Sequence, residues 1–357
     1  GSGADSCAGS TTLTVTVYPN PALVVSGKTS VCGEEIALYH VTDANLTGIA
    51  TYNWTVTGGQ IISGTGSTEI SVSWDAVGTS TQRVITVSGA GANSCMGSTT
   101  LTVTVYPNPK LSIVGDANVC SDETLPYAVV DANNLGLMNY TWVVEGGVII
   151  GSTTGTTINV QWNDLTIRTP GKVSVTGTGT NNCTQTVEYA ITIYPNPVLT
   201  ISGDVEVCSE EQQNYSVVDA NNTGIINYIW TVEGGQITGA TGGAMITVQW
   251  DNVTSVTQRE ITVSGAGANA CSGAANYMVT VYPNPDLSIS GDASVCSGEE
   301  FPYTATDVNN TGITVYTWTV EGGQIPGAAD GMTINVAWNE VTIPTQREIT
   351  VSGAGAN

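Results

Sequence analysis

Thr14-Val15-Thr16-Val17-Tyr18-Pro19-Asn20-Pro21 joins a run of alternating polar and apolar residues to a tetrad that no strand can continue. Proline has no amide proton to give to a sheet and its ring fixes φ, so pairing stops there. The tetrad returns as Tyr106-Pro107-Asn108-Pro109, Tyr194-Pro195-Asn196-Pro197 and Tyr282-Pro283-Asn284-Pro285, each 88 residues after the last. Equal spacing makes the chain a tandem array without net insertions, and it sets the domain size ahead of any average taken from length. Counting from each tetrad places repeats at 18–105, 106–193 and 194–281, then a fourth at 282–357 that lacks its final strand. Residues 1–17 match the end of a repeat, with Ser6-Cys7 level with Ser94-Cys95. They read as a last strand belonging to a preceding repeat, or as one donated to another molecule.

Charge narrows the function classes. Lys and Arg total 7 against 30 Asp and Glu, a formal net charge of −23. Such a chain repels nucleic-acid phosphates and anionic head groups, and no basic cluster offsets the repulsion. No apolar run approaches the roughly 20 residues of a membrane span, so no membrane insertion is expected in this segment. Gly, Thr, Val, Ser and Asn dominate, and runs of strong helix formers are absent, which points to an all-β protein.

Within the third repeat, alternation between turn signals marks strands at 199–202, 214–218, 227–233, 245–250, 260–264 and 276–282, with a short return at Gln236-Ile237 after Gly234-Gly235. Tyr228, Trp230 and Val232 share one face, as do Ile246, Val248 and Trp250. Some seven short strands without a helical period predict an immunoglobulin-like β-sandwich in each repeat.

These residues carry a resemblance. Gly203 with Val207-Cys208, Tyr228-x-Trp230-x-Val232 before Gly234-Gly235, Ile246-x-Val248-x-Trp250 and Asn269-x-Cys271 resemble the PKD-like and immunoglobulin-like domains repeated in large secreted and surface proteins of the Bacteroidetes. The series recurs in the other repeats, as in Tyr140-x-Trp142. The resemblance implies an extracellular or cell-surface array with a mostly structural role, and it brings no catalytic residue.

The tryptophans form two series at the same period, Trp54, Trp142, Trp230, Trp318 and Trp74, Trp162, Trp250, Trp338. Each lies at the inward phase of an alternating strand and is expected in the core, where burying a large ring stabilises a small domain strongly. The cysteines also form two series, Cys7, Cys95, Cys183, Cys271 and Cys32, Cys120, Cys208, Cys296. Two per repeat, with no Cys-x-x-Cys and one histidine, point to disulfides and away from zinc. Two connectivities stand open. A bond within a repeat, such as Cys32 to Cys95, is the simple default. In a sandwich, however, those two cysteines fall at opposite poles, and a bridge needs Cα atoms within about 7 Å. A staple between neighbours, Cys32 to Cys183 and Cys120 to Cys271, meets that geometry.

Asp43-x-Asn45-x-Thr47-Gly48 recurs from Asp131 and Asn133, from Asp219 and Asn221, and from Asp307 and Asn309. It is the opening half of a calcium loop, although position 12 is a tryptophan and the bidentate glutamate is missing. The same residues also build turns by bonding their own backbone. Calcium is therefore the one cofactor the sequence brings forward, against a purely structural reading of the loop. Arg83, Arg259 and Arg347 share a phase, and Glu260 and Glu348 beside two of them predict surface ion pairs.

No acid, base and nucleophile converge, so no enzyme is expected. The leading expectation is a rigid surface stalk, fibre or filament whose partner is itself, in a longer array or head to tail by strand donation. An adhesin or glycan-binding array, and the spacer of a larger secreted enzyme, are the alternatives.

Overall fold

A computed structural model of the chain describes residues 8–136, 139–179, 181–267 and 269–356, so Cys7 lies outside the described residues. The chain divides into two compact units, one of residues 1–117, 123–163 and 170–192, the other of residues 118–122, 164–169 and 193–357.

In the first unit, the first repeat folds as β1 (Leu23–Gly27), β2 (Ser30–Cys32), β3 (Ile36–Asp43), β4 (Tyr52–Val56), β5 (Gly59–Ser63), β6 (Glu69–Trp74), β7 (Thr81–Ala90) and β8 (Met96–Tyr106). These make two four-stranded sheets, β1-β3-β6-β5 and β2-β8-β7-β4. Pairing is antiparallel except where β2 runs parallel to β8, with Cys32 opposite Tyr106. Alternation decides the faces: Ala37, Tyr39 and Val41 of β3 turn inward with Ile70, Val72 and Trp74 of β6, and the other sheet supplies Trp54, Ile85, Val87, Val103 and Val105. Tyr39 and Trp74 meet edge to face at 6.0 Å, and the Trp74 indole donates to the Tyr39 hydroxyl at 3.2 Å. Burial pushes that hydroxyl up to about 12.

The second unit holds the third repeat in the same order, from Leu199–Ser202 through Ser272–Tyr282. Its sheets repeat the topology, including the short parallel strand Glu206–Cys208 against Ser272–Tyr282. That strand escapes sequence reading because three residues are too few to show a period. In the first unit, the second repeat contributes a sheet of Leu111–Val114, Thr124–Asp131, Thr157–Trp162 and Gly147–Ile150. Trp54, Trp142, Trp230 and Trp318 are all buried, and each donates its indole N–H to the carbonyl thirteen residues on, at Ser67, Gly155, Gly243 and Gly331. A buried indole with its one donor satisfied carries no penalty for the burial. Trp74, Trp162 and Trp250 are buried too, whereas Trp338 is only partly covered.

The fourth repeat forms Leu287–Gly291, Glu300–Asp307, Tyr316–Val320, Gly323–Gln324, Thr333–Trp338 and Ile349–Gly353. One sheet keeps four strands. The other has two among the described residues, Tyr316–Val320 and Ile349–Gly353.

Candidate functional site

The chemistry of this chain concentrates where one repeat meets the next. In the first unit, β8 delivers Tyr106 to the tetrad, and the Tyr106 carbonyl accepts from Gly33 N–H at 2.8 Å. Asn108 Nδ2 then donates to the Gly33 carbonyl at 2.7 Å, so both polar groups at Gly33 are held by the tetrad. On its other side the Asn108 carbonyl accepts from Asn133 Nδ2 of the second repeat at 2.8 Å. Asn108 thus bridges two domains with its side chain and its backbone, while Pro107 and Pro109, both buried, hold the chain extended without donors of their own.

The second unit repeats the device twice. Asn196 Nδ2 donates to Ser121 O at 2.7 Å and Asn284 Nδ2 to Ser209 O at 2.8 Å; their carbonyls accept from Asn221 and Asn309, each at 2.8 Å. The first tetrad carries only the second half, with Asn45 Nδ2 donating to Asn20 O at 2.8 Å, and Tyr18, Pro19 and Asn20 exposed.

The aspartate loop is the other jaw of this clamp. Asp43 Oδ1 accepts from Ala22 N and Asn45 N, and Oδ2 accepts from the backbone N–H and the hydroxyl of Thr47. Asp219 and Asp307 receive the same four bonds, from Val198, Asn221 and Thr223 and from Asp286, Asn309 and Thr311. Asp131 has three, since Leu135 replaces the threonine. These bonds support the turn reading of the loop, in which the carboxylate accepts from its own neighbouring backbone. No group of three or more His, Cys, Asp or Glu suited to a metal occurs among the described residues. The Thr47 hydroxyl, acting against some burial and helped by three backbone N–H groups, holds Asp43 down to about 2. At Asp219 and Asp307 burial pushes upward, and the bonds from Thr223 and Thr311 outweigh it, so both lie below the usual carboxylate range.

Disulfides cross two of these joints. Cys32 is bonded to Cys183 and Cys120 to Cys271, with Cα separations of 5.7 and 5.5 Å and 151 residues between partners in each case. The geometry disfavours the alternative within a repeat. Cys32 lies opposite Tyr106 while Cys95 precedes Met96, so the whole 11-residue β8, roughly 35 Å of strand, lies between them. At the third joint Cys208 is an exposed free thiol, as is Cys296, and Cys95 is a half-buried one.

The arginine expectation also needs correcting. Arg259 pairs with Glu233 and Arg347 with Glu321, each at 3.5 Å, across the sheet and not with the adjacent Glu260 or Glu348. Neighbouring residues on a strand point to opposite faces. Each arginine instead lies over the hairpin glycine, Gly58, Gly234 or Gly322, whose φ near +64° and missing Cβ make room for it.

The fourth repeat presents a groove of about 930 Å³ lined by Ile289, Tyr303, Trp338, Val341 and Ile349 among others. In the third repeat, Val279 and Val281 of the final strand are fully buried and belong to the core. Residues 10–17 take no strand, and their apolar side chains Leu13, Val15 and Val17 are 87%, 68% and 86% exposed.

Eight-stranded sandwiches in tandem, joined by a proline tetrad, an asparagine clamp and a disulfide, define an all-β modular protein of immunoglobulin-like architecture. Residues 18–105, 106–193 and 194–281 each match the PKD-like domain, and the chain belongs to that family. No curated protein matches it in sequence. Among solved structures it is similar to the human desmocollin-1 ectodomain, at 10% identity over 99% of this chain and 81% of that one with a TM-score of 0.25. It is also similar to a three-immunoglobulin segment of titin, at 7% identity over 75% and 99% with a TM-score of 0.36. Fibronectin(III)-like modules of Clostridium thermocellum CbhA match at 12% over 48% and 94%, with a TM-score of 0.27.

Proposed function

We propose that the chain is an extracellular structural protein that builds a stiff surface stalk or filament, extended head to tail by strand donation. One observation carries the reading: the described residues of the fourth repeat leave a groove open, and residues 10–17 match residue for residue the segment 98–105 of the strand that closes the first repeat. Leu13, Val15 and Val17 stand at the phase of Leu101, Val103 and Val105, and the two valines of β8 are fully buried in the first repeat. Docked in the same register, Leu13 would face Ile349 as Leu101 faces Ile85. Strand addition supplies backbone hydrogen bonds along the open edge, and burial of three apolar side chains drives it. Such contacts are heterologous and do not close, so they propagate. Disulfides at the joints accord with an oxidising, extracellular setting.

Negative-stain microscopy of the purified chain tests this. Filaments with a fixed domain repeat are expected, and the triple variant Leu13→Lys, Val15→Lys, Val17→Lys should abolish them while circular dichroism stays that of a folded β protein. Filaments that survive the triple variant would overturn strand donation.

A further inference from the structure

We infer that the joint between the second and third repeats holds a binding site for a uronic acid, a sugar that carries one carboxylate, with Arg168 as its anchor. The inference stands apart from the filament reading.

A groove of about 440 Å³ opens at this joint, wholly within the second unit. Its lining comes from three places: Thr166, Ile167 and Arg168 on the turn before Thr169–Thr178, Tyr194 and Pro195 of the tetrad, and Asn222 of the aspartate loop in the third repeat. The Arg168 guanidinium carbon stands 5.2 Å from the centre of the Tyr194 ring, within reach of a cation–π contact that settles the fork on an aromatic plate.

The fold does not ask for this arginine. Ser80, Val256 and Pro344 stand at the same phase of the other repeats, and the first and third joints close their asparagine clamps with Ser80 and Val256 in its place. Nor does it neutralise a neighbour. Lys28, Lys172, Arg259 and Arg347 each reach a carboxylate, whereas among the described residues Arg168 pairs with none and no Asp or Glu lines the groove. Asp219, the acid of the adjoining loop, engages both oxygens with Val198, Asn221 and Thr223. Charge elsewhere on the chain is screened beyond about 10 Å at 0.1 M salt, so the local cation decides what can approach.

The lining also selects the ligand. One guanidinium balances one carboxylate, and its planar fork matches the two oxygens; a doubly charged phosphate calls for a second cation, and none lines the groove. The remaining polar groups are neutral and exposed: the Thr166 hydroxyl, and an Asn222 side chain that makes no hydrogen bond among the described residues. Both can donate to and accept from ligand hydroxyls, while Ile167 and Pro195 offer apolar surface to the C–H face of a sugar ring. The volume falls within the roughly 300–1,000 Å³ of small-molecule sites, more than a lone inorganic anion fills. A carboxylate on a hydroxylated ring meets all of these at once.

The test titrates the full, isotope-labelled chain with sodium glucuronate, with glucose and with acetate, and follows the Asn222 side-chain amide and the Arg168 guanidinium by NMR. Glucuronate should shift both signals saturably, and glucose and acetate, each lacking half of the recognition, should bind at least about tenfold more weakly. Arg168→Ser should leave the melting temperature unchanged, since Ser80 serves at the first joint, and should weaken glucuronate by about tenfold or more. Arg168→Lys, which keeps the charge and loses the fork, should fall between. No saturable shift with glucuronate, equal binding of acetate or glucose, or binding that Arg168→Ser leaves intact would each overturn the inference.

Discussion

The third and fourth repeats share most of their sequence but differ in how far the described residues cover their cores. In the third, Val253 is 7% exposed, Ile261 and Trp250 are buried, and Glu206–Cys208 pairs with the final strand. In the fourth, Val341 at the equivalent position is 39% exposed, Trp338 and Ile349 are half-buried, and residues 294–296 form no strand. The difference reaches the neighbouring strand as well: Thr257–Ala266 has ten residues and Ile349–Gly353 five. Where no final strand lies beside Ile349–Gly353 among the described residues, two strands go without a partner there and the core is more exposed on that side. The contrast shows that the last strand serves as the lid of the sandwich as well as the lead into the joint.

Supplying the lid should erase the contrast, and it is the largest effect expected. A synthetic peptide of residues 8–21, added in trans, should bury Leu13, Val15 and Val17 for about 4–8 kcal/mol before the cost of ordering the peptide. Hydrogen exchange at 349–353 should then slow toward the protection of Thr257–Ala266. Unchanged exchange at saturating peptide would break the comparison. Removing the core from each repeat gives the next effect. Trp250→Ala should cost about 3–5 kcal/mol, and Trp338→Ala, starting from a half-exposed ring, about half of that, read from the separate transitions in calorimetry.

The joints sharpen the comparison at smaller scale. Asn196→Ala and Asn284→Ala each remove the same clamp, worth about 1 kcal/mol. Only the second lies at a joint without a disulfide, so only Asn284→Ala should broaden interdomain angles measured by spin-label distances. Acid probes the aspartate jaw. Asp43 has a folded value near 2, below the unfolded value of about 3.9, so its contribution is complete above pH 4 and is lost as pH falls through 2. Carboxyl chemical shifts of Asp43, Asp219 and Asp307 should all titrate below free aspartate; an ordinary midpoint at any of them would remove the clamp there. The smallest effect is local. Leu46 holds φ of +51°, where Asn134, Asn222 and Asn310 stand in the other repeats. Leu46→Asn should raise the melting temperature of the first repeat, by a gain of about 0.5–1 kcal/mol.

Much of this was legible in the chain itself. The 88-residue period, the two tryptophan series and the alternation around Trp230 and Trp250 announce tandem sandwiches, because inward residues recur every second position on any half-buried strand. The joint was half legible. Tyr-Pro-Asn-Pro declares a stop through proline chemistry, but that Asn108 grips Gly33 and is gripped by Asn133 depends on residues 75 and 25 positions away. The Asp-x-Asn-x-Thr loop admits both a calcium and a turn reading because the two motifs use the same oxygens; the donors around Asp43 are those of the turn.

Sequence alone therefore determined the repeat length, the all-β class, the inward faces and the two families of cysteine, since each follows from local periodicity and backbone chemistry. Tertiary structure alone decided which cysteines meet and what the aspartates hold. Those depend on the poles of stacked sandwiches, where residues 151 apart in the chain come within bonding distance and no local pattern records it.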